Sequence, residues 1–148
     1  MDIVHVVSKR GTCDRGRNAA VIAAKDHKRL SFGYVGSPPG EPHCDDVGHL
    51  IRKVTHEDGS ESYHCVRTIH AEINAIENAK SLRIKLKGAT LYNKMTPCVN
   101  CANAIKKSGI ERVVCEKRYH RLEGEEILKK AGVEIVYLTD ELMKYKKQ

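Results

Sequence analysis

The sequence predicts one α/β domain folded as a layered sandwich. Three observations carry that expectation. The chain has 148 residues, the size of one domain. Segments with strand and helix patterning follow one another as β-β-α-β-α-β-α-β. The first two strands are joined by a short polar turn and read as an antiparallel hairpin. The later strands are separated by helices, which suggests parallel pairing there.

Residues 18–25, with Ala19-Ala20-Val21-Ile22-Ala23 at their centre, predict the first strand. The turn Asp26-His27-Lys28 leads into a second strand over residues 30–34. Residues 36–42 hold three prolines and two glycines and must be loop. Residues 54–63, with Glu57-Asp58-Gly59-Ser60, predict a second polar loop. Ile73, Ile76 and Ala79 recur at helical spacing, so residues 71–80 predict a helix on a core. Residues 88–92 read as a buried strand. A second helix is expected over 98–108, with Cys101, Ala104 and Ile105 on one face and Gly109 as its stop. Residues 112–115 predict a short strand ended by Cys115, 123–131 a helix closed by Gly132, and 133–138 a strand. Residues 140–146 predict a final helical turn or two.

Composition narrows the function classes. Hydrophobic residues make up 41% and charged residues 30%, ordinary for a chain that buries a core. No apolar run approaches the roughly 18 residues of a membrane span. The apolar patch Ile3–Val7 is too short for a signal peptide, and a cytoplasmic location is expected. The formal net charge of +7 fits either an anionic partner or charge spread for solubility. Six cysteines stand at 13, 44, 65, 98, 101 and 115, alongside eight histidines. Without an export signal, metal or catalytic roles are favoured over disulfides.

Two segments carry chemistry. His70-Ala71-Glu72 opens one helix, and Pro97-Cys98 opens the next, with Cys101 one turn later. A spacing of three puts both sulfurs on one side of a helix start, where the dipole and free N–H groups favour thiolates. Pro97 suits the first helical position, where no N–H is needed. With His70 as a third ligand, a tetrahedral zinc keeps one position for water, as catalytic sites do. Glu72, two residues after the ligand, can then move protons without binding the metal. Alone, Cys-x-x-Cys fits a structural knuckle or a redox pair, and His-Ala-Glu fits a helix cap. Together, His-x-Glu and Pro-Cys-x-x-Cys are the signature of zinc deaminases that act on nucleobases.

At these residues the chain resembles the cytidine deaminase superfamily, and within it the deoxycytidylate (dCMP) deaminases. The resemblance extends through Gly33-Tyr34-Val35-Gly36-Ser37-Pro38, His43-Cys44-Asp45-Asp46-Val47-Gly48, Cys65-Val66-Arg67-Thr68-Ile69-His70 and Tyr119-His120. It covers about residues 12–136. It implies a three-layer α-β-α sandwich with a mixed five-stranded sheet, cytidine deaminase-like, over residues 1–148 as a single domain. It also implies hydrolysis of dCMP to dUMP and ammonia, feeding thymidylate synthesis. His70, Cys98 and Cys101 then hold zinc and Glu72 shuttles protons. Substrate contacts are expected from Tyr34, Val35, Arg67, Ala71, Tyr119 and Lys94, with Tyr119 and Arg67 the best-placed matches for the phosphate. For Arg67 a plain surface charge is the alternative.

Phage-type members of that family carry a second zinc, which the resemblance assigns to Cys13, Cys44 and Cys65, with a fourth ligand among His43, His49 and His64. The alternative is that these are reduced free thiols. Cys115 reads as core. A homo-oligomer, a hexamer by resemblance, and regulation by dCTP and dTTP are further implications. Departures stand beside these. Val35 replaces an asparagine expected at the sugar, Asn18-Ala19-Ala20 replaces Val-Gly-Ala, and Asn93-Lys94-Met95-Thr96 precedes Pro97 where a Val-Thr pair is typical. Competing readings are a deaminase of dCTP or CMP, an editor of tRNA or single strands, and a zinc-binding module without turnover. One Phe and no Trp leave few platforms for stacking bases, so nucleic acid is the weaker partner.

Overall fold

The computed structural model describes residues 1–55 and 59–143. Its elements are α1 (Asp2–Ser8), β1 (Ala19–Ala23), β2 (Leu30–Tyr34), α2 (Cys44–Val47), β3 (Ile51–Thr55), β4 (Glu61–Cys65), α3 (Ala71–Ser81), β5 (Thr90–Met95), α4 (Val99–Ser108), β6 (Arg112–Tyr119), α5 (Glu123–Lys130), β7 (Glu134–Tyr137) and β8 (Leu142–Met143). The main sheet runs β2-β1-β5-β6-β7, with β8 pairing to the far end of β6. β1 is antiparallel to both β2 and β5, whereas β5-β6 and β6-β7 are parallel. This is the expected mixed five-stranded sheet in an α-β-α sandwich.

Strand alternation sorts the core into two faces. Ala20 and Ile22 of β1, Leu91 of β5, and Val113 and Cys115 of β6 pack with α3, α4 and α5. Ala19 and Val21 point the other way and pack with Val4 of α1. Three helices thus cover one face, and α1 covers part of the other.

Two glycines set how closely helices approach the strands and turns that carry the site. A Cβ on Gly33 of β2 would stand 2.2 Å from the carbonyl oxygen of Ala71 and 2.2 Å from the amide of Ala75, so only glycine lets the first turn of α3 rest there. A Cβ on Gly124 of α5 would stand 1.9 Å from the carbonyl oxygen of Pro97. The α5 start therefore presses directly on the turn that opens α4.

Several sequence expectations are corrected. Residues 54–63 are not simply loop: β3 and β4 form an antiparallel hairpin, Ile51 opposite Cys65 and Thr55 opposite Glu61. Its polar, mostly exposed residues hide the strand pattern, and Glu57 and Asp58 lie outside the described residues. The expected helical turns at 140–146 are replaced by β8, which pairs in parallel with Arg118 and Tyr119; Lys144 and Lys146 lie outside the described residues. The strand expected at 112–115 runs on to Tyr119, so Cys115 sits mid-strand as core and not at its end. The strand expected to finish at 92 continues to Met95. Cys98 is the N-cap of α4, which places Pro97 before the cap instead of at the first helical position. Helices α1 and α2 are additions; both are too short for periodicity to reveal.

Candidate active site

The two helix starts meet. His70 caps α3 and Cys98 caps α4, each in extended backbone conformation that turns the side chain beside the helix mouth. The Nδ1 of His70 lies 3.4 Å from the sulfur of Cys98 and 3.4 Å from that of Cys101. A tetrahedral zinc, with bonds of about 2.3 Å to sulfur and about 2.0–2.1 Å to nitrogen, needs nitrogen and sulfur about 3.5 Å apart. The donor set therefore fits zinc in kind and in spacing. Donor atoms of these three residues lie within 4.8 Å of one another, and among the described residues no fourth Cys, His, Asp or Glu completes that group.

The electrostatics point the same way. A hydrogen bond from Cys101 draws the Cys98 thiol down to about 4, helped by His70. The same contact drives Cys101 far upward, so without an ion the pair shares one proton. His70 is raised to about 9, chiefly by its hydrogen bond to Cys98. Without an ion, the negative charge of the cluster thus rests on Cys98, the thiol a cation would meet first.

Glu72 is 4% exposed. Burial pushes its pKa upward, and the charge of Cys98 adds to that while His70 opposes it. A carboxylic group raised this way holds a proton more readily than an exposed one, as a proton-transferring group must. Its Oε1 accepts a 2.8 Å hydrogen bond from the Nδ2 of Asn93 on β5.

A second cluster has four members. Cys13, Cys44, His49 and Cys65 bring donor atoms within 4.8 Å of one another. Cys13 sulfur and His49 Nδ1 are 3.6 Å apart, as are the sulfurs of Cys44 and Cys65. Both spacings match ligands of one tetrahedral ion, for which two sulfurs stand about 3.8 Å apart. Of the three histidine candidates, His43 is held by Thr12 at 2.9 Å and His64 by Ser62 at 2.7 Å. His49 alone joins the group, with its Nε2 2.9 Å from Asp14. A carboxylate on the far nitrogen fixes the ring for metal binding. Burial, together with Cys65, pushes Cys44 up to about 12. Cys65 feels burial too, but the amide of Arg67 and the Cys44 thiol bring it down to about 7.

The expected substrate residues are spread around these clusters. Ala71 is the first residue of α3 and is fully buried. Val35 is buried, its amide bonded to the Asn18 carbonyl and its own carbonyl to the Thr12 amide. Tyr34 ends β2 and packs with the α1 cluster. Tyr119 ends β6, edge-on to His120 at 4.4 Å, and burial raises its pKa with a contribution from Cys98. Arg67 donates to the Gly48 carbonyl at 3.1 Å and belongs to the four-donor cluster's surroundings. Lys94 follows Asn93, so alternation turns it to the other face of the sheet, where its Nζ lies 3.4 Å from the Arg17 carbonyl.

A polar chain buttresses the α4 start. The Tyr119 amide donates to Thr96, Thr96 to Tyr137, and Tyr137 to Glu125, over 3.0, 3.0 and 2.7 Å. Sequence reading missed this chain and Asn93. The available signal was a polar residue inside an apolar strand, since buried polar groups need partners.

The model of the cytidine and deoxycytidylate deaminase zinc-binding region matches residues 1–117. The chain belongs to that family. It is 31% identical over 166 residues to the deoxycytidylate deaminase of Enterobacteria phage T2, covering 91% of this chain and 88% of that protein. It is 34% identical over 132 residues to ComE operon protein 2 of Bacillus subtilis, covering 88% of this chain but only 65% of that longer protein. The dCMP deaminase of the cyanophage S-TIM5, crystallised with dCMP and dUMP, superposes with a TM-score of 0.70 at 24% identity, over 92% of this chain and 91% of that one. This likeness speaks to the fold. Among the described residues no helix is long and apolar enough to cross a membrane.

Proposed function

We propose that this chain hydrolyses dCMP to dUMP and ammonia, with His70, Cys98 and Cys101 holding zinc and Glu72 moving the protons. The observation that carries the reading is the buried carboxylate of Glu72 beside a group of three donors, where a purely structural site has no use for one. Family membership and the deoxycytidylate deaminases among the relatives support the substrate. Zinc, when bound, supplies a nucleophile at neutral pH by lowering the pKa of a water from about 15.7 to about 7. Glu72 takes the proton of the attacking water and delivers it to the ring nitrogen of cytosine. It then takes the second proton, from the hydroxyl now on the ring carbon, and passes it to the amine; the C–N bond breaks, the carbonyl forms and the amine leaves as ammonia. The helix-start amides and the buried surroundings hold the charges in place through the reaction. Tyr119, whose hydroxyl feels the charge of Cys98, is the side chain this reading assigns to meet the nucleotide.

The four-donor cluster of Cys13, Cys44, His49 and Cys65 supports a second, structural zinc. Four protein ligands close a tetrahedral site and leave no position for chemistry. Such an ion would tie the loop after α1, the α2 start and the β4 end into one unit. Assembly into a homo-oligomer, regulation by dCTP or dTTP and a cytoplasmic location belong to the same reading.

The test is ammonia release from dCMP, dCTP, deoxycytidine, CMP and a tRNA anticodon stem, with zinc measured alongside. Glu72→Ala should keep zinc and lose turnover, and Cys98→Ala should lose both. Turnover by Glu72→Ala would remove the proton shuttle, and reaction with the RNA alone would overturn the nucleotide substrate.

A further inference from the structure

Asn93 occupies a place that a packed strand gives to an apolar side chain. It lies between Leu91 and Met95 on the helix-covered face of β5 and is fully buried. Its sheet neighbours are Ala20 on β1 and Cys115 on β6. Neither is a strong hydrogen-bonding group, and burying an amide without partners is costly. The amide is satisfied in one orientation. Its Oδ1 accepts from the Lys94 backbone N–H at 2.9 Å, and its Nδ2 donates to Glu72 Oε1 at 2.8 Å. Flipping the amide would set N–H against N–H at Lys94 and oxygen against oxygen at Glu72.

We propose that Asn93 is a positioning residue for the proton shuttle. It pins one carboxylate oxygen of Glu72 from beneath, so that the other is presented to the reacting atoms in one rotamer. This inference rests on the functional reading above. Glu72 lies in the first turn of α3, and its charge reaches Cys115 of β6. The Cys101 thiol and the Glu72 amide also meet the carboxylate, but Asn93 is the partner that ties it to a strand of the sheet. A shuttle must deliver its proton to a ring nitrogen and then to an amine, and both deliveries need hydrogen-bond reach. Anchoring one oxygen to a rigid strand supplies that aim. Among the described residues the Asn93 side chain hydrogen-bonds to Glu72 and Lys94 and to no member of either donor cluster, so the anchor can fail without the metal being lost.

The experiment compares wild type, Asn93→Val and Asn93→Asp on dCMP, with zinc per chain, melting temperature and dUMP affinity measured on the same preparations. Asn93→Val keeps a strand-favouring side chain and removes the donor. Its kcat is expected to fall about 10–100-fold, in the range of lost outer hydrogen bonds at metal sites. KM, zinc content and dUMP affinity should stay within about twofold. If Asn93→Val does not fold, Asn93→Asp, which keeps the shape and replaces the donor by an acceptor, is read in its place and should show the same split. An unchanged kcat in the folded variant overturns the proposal. So does a parallel loss of kcat, zinc and dUMP affinity, which would mark Asn93 as support for the fold alone. A wild type that releases no ammonia from any cytosine nucleotide overturns the functional reading and this one with it. An active wild type matched by Asn93→Val overturns this one only.

Discussion

Adding one methyl group at Gly124 should damage the proposed metal site through the backbone of Pro97 and Cys98, whose carbonyl carbon would stand 3.2 Å from the new Cβ. Gly124 lies in the first turn of α5, and a Cβ there would stand 1.9 Å from the carbonyl oxygen of Pro97. Ordinary contact is about 3.4 Å or more, so the two backbones must separate by about 1.5 Å. Neither side yields easily. The obstructing atom is backbone, and Pro97 leads straight into Cys98. In an open helix, glycine to alanine gains up to about 1 kcal/mol. Here the overpacking costs about 1–3 kcal/mol and more than cancels that gain. For a chain of this size each kcal/mol lowers the melting temperature by about 2–4 °C. A displacement of about 1 Å at a catalytic group can cost 100-fold in rate. Gly124→Ala is therefore expected to lower the melting temperature by several degrees and kcat by at least tenfold, with reduced zinc occupancy. The assay pairs thermal unfolding with steady-state ammonia release and zinc analysis. Glu126→Ala, an exposed change on the same helix, serves as the control. A Gly124→Ala protein equal to wild type in melting temperature and kcat would refute the claim that α5 sets the Cys98 turn.

Further outcomes follow from the polar chain and the second cluster. Tyr137→Phe removes the link between Thr96 and Glu125 and is expected to cost about 1–3 kcal/mol, read by urea unfolding. Glu125 feels burial first, which raises its pKa, but Lys129, Tyr137 and Arg118 together hold it below its ordinary value of 4.5. Its contribution to stability is thus complete above pH 4.5 and fades as pH falls through the lower folded value. Melting curves of Glu125→Gln should accordingly lose part of the wild-type decline below pH 4.5; identical declines would show that the carboxylate contributes nothing. His49→Ala should drop zinc from two per chain to one while Glu72-dependent turnover persists at permissive temperature. One zinc per chain in wild type would remove the second site.

The three-donor cluster was legible because its parts are local. Cys98 and Cys101 share one turn of α4, and Glu72 follows His70 by two positions, so helix geometry alone places each pair. The hairpin β3-β4 escaped notice because its strands pack little apolar surface and are mostly exposed, which leaves no alternation to read. The N-terminal helix α1 escaped because one buried valine and one buried serine make no periodic stripe.

Residue order by itself determined the layered α/β class, the two helix starts and the residue types able to hold a metal, all of which depend on neighbours a few positions apart. Only the tertiary structure decided which histidine joins Cys13, Cys44 and Cys65, that Asn93 lies under Glu72, and that α5 presses on Pro97. Those outcomes depend on strand register and helix packing between residues 21 or more positions apart. Several histidines and several polar residues satisfy the local pattern equally well, and packing selects among them.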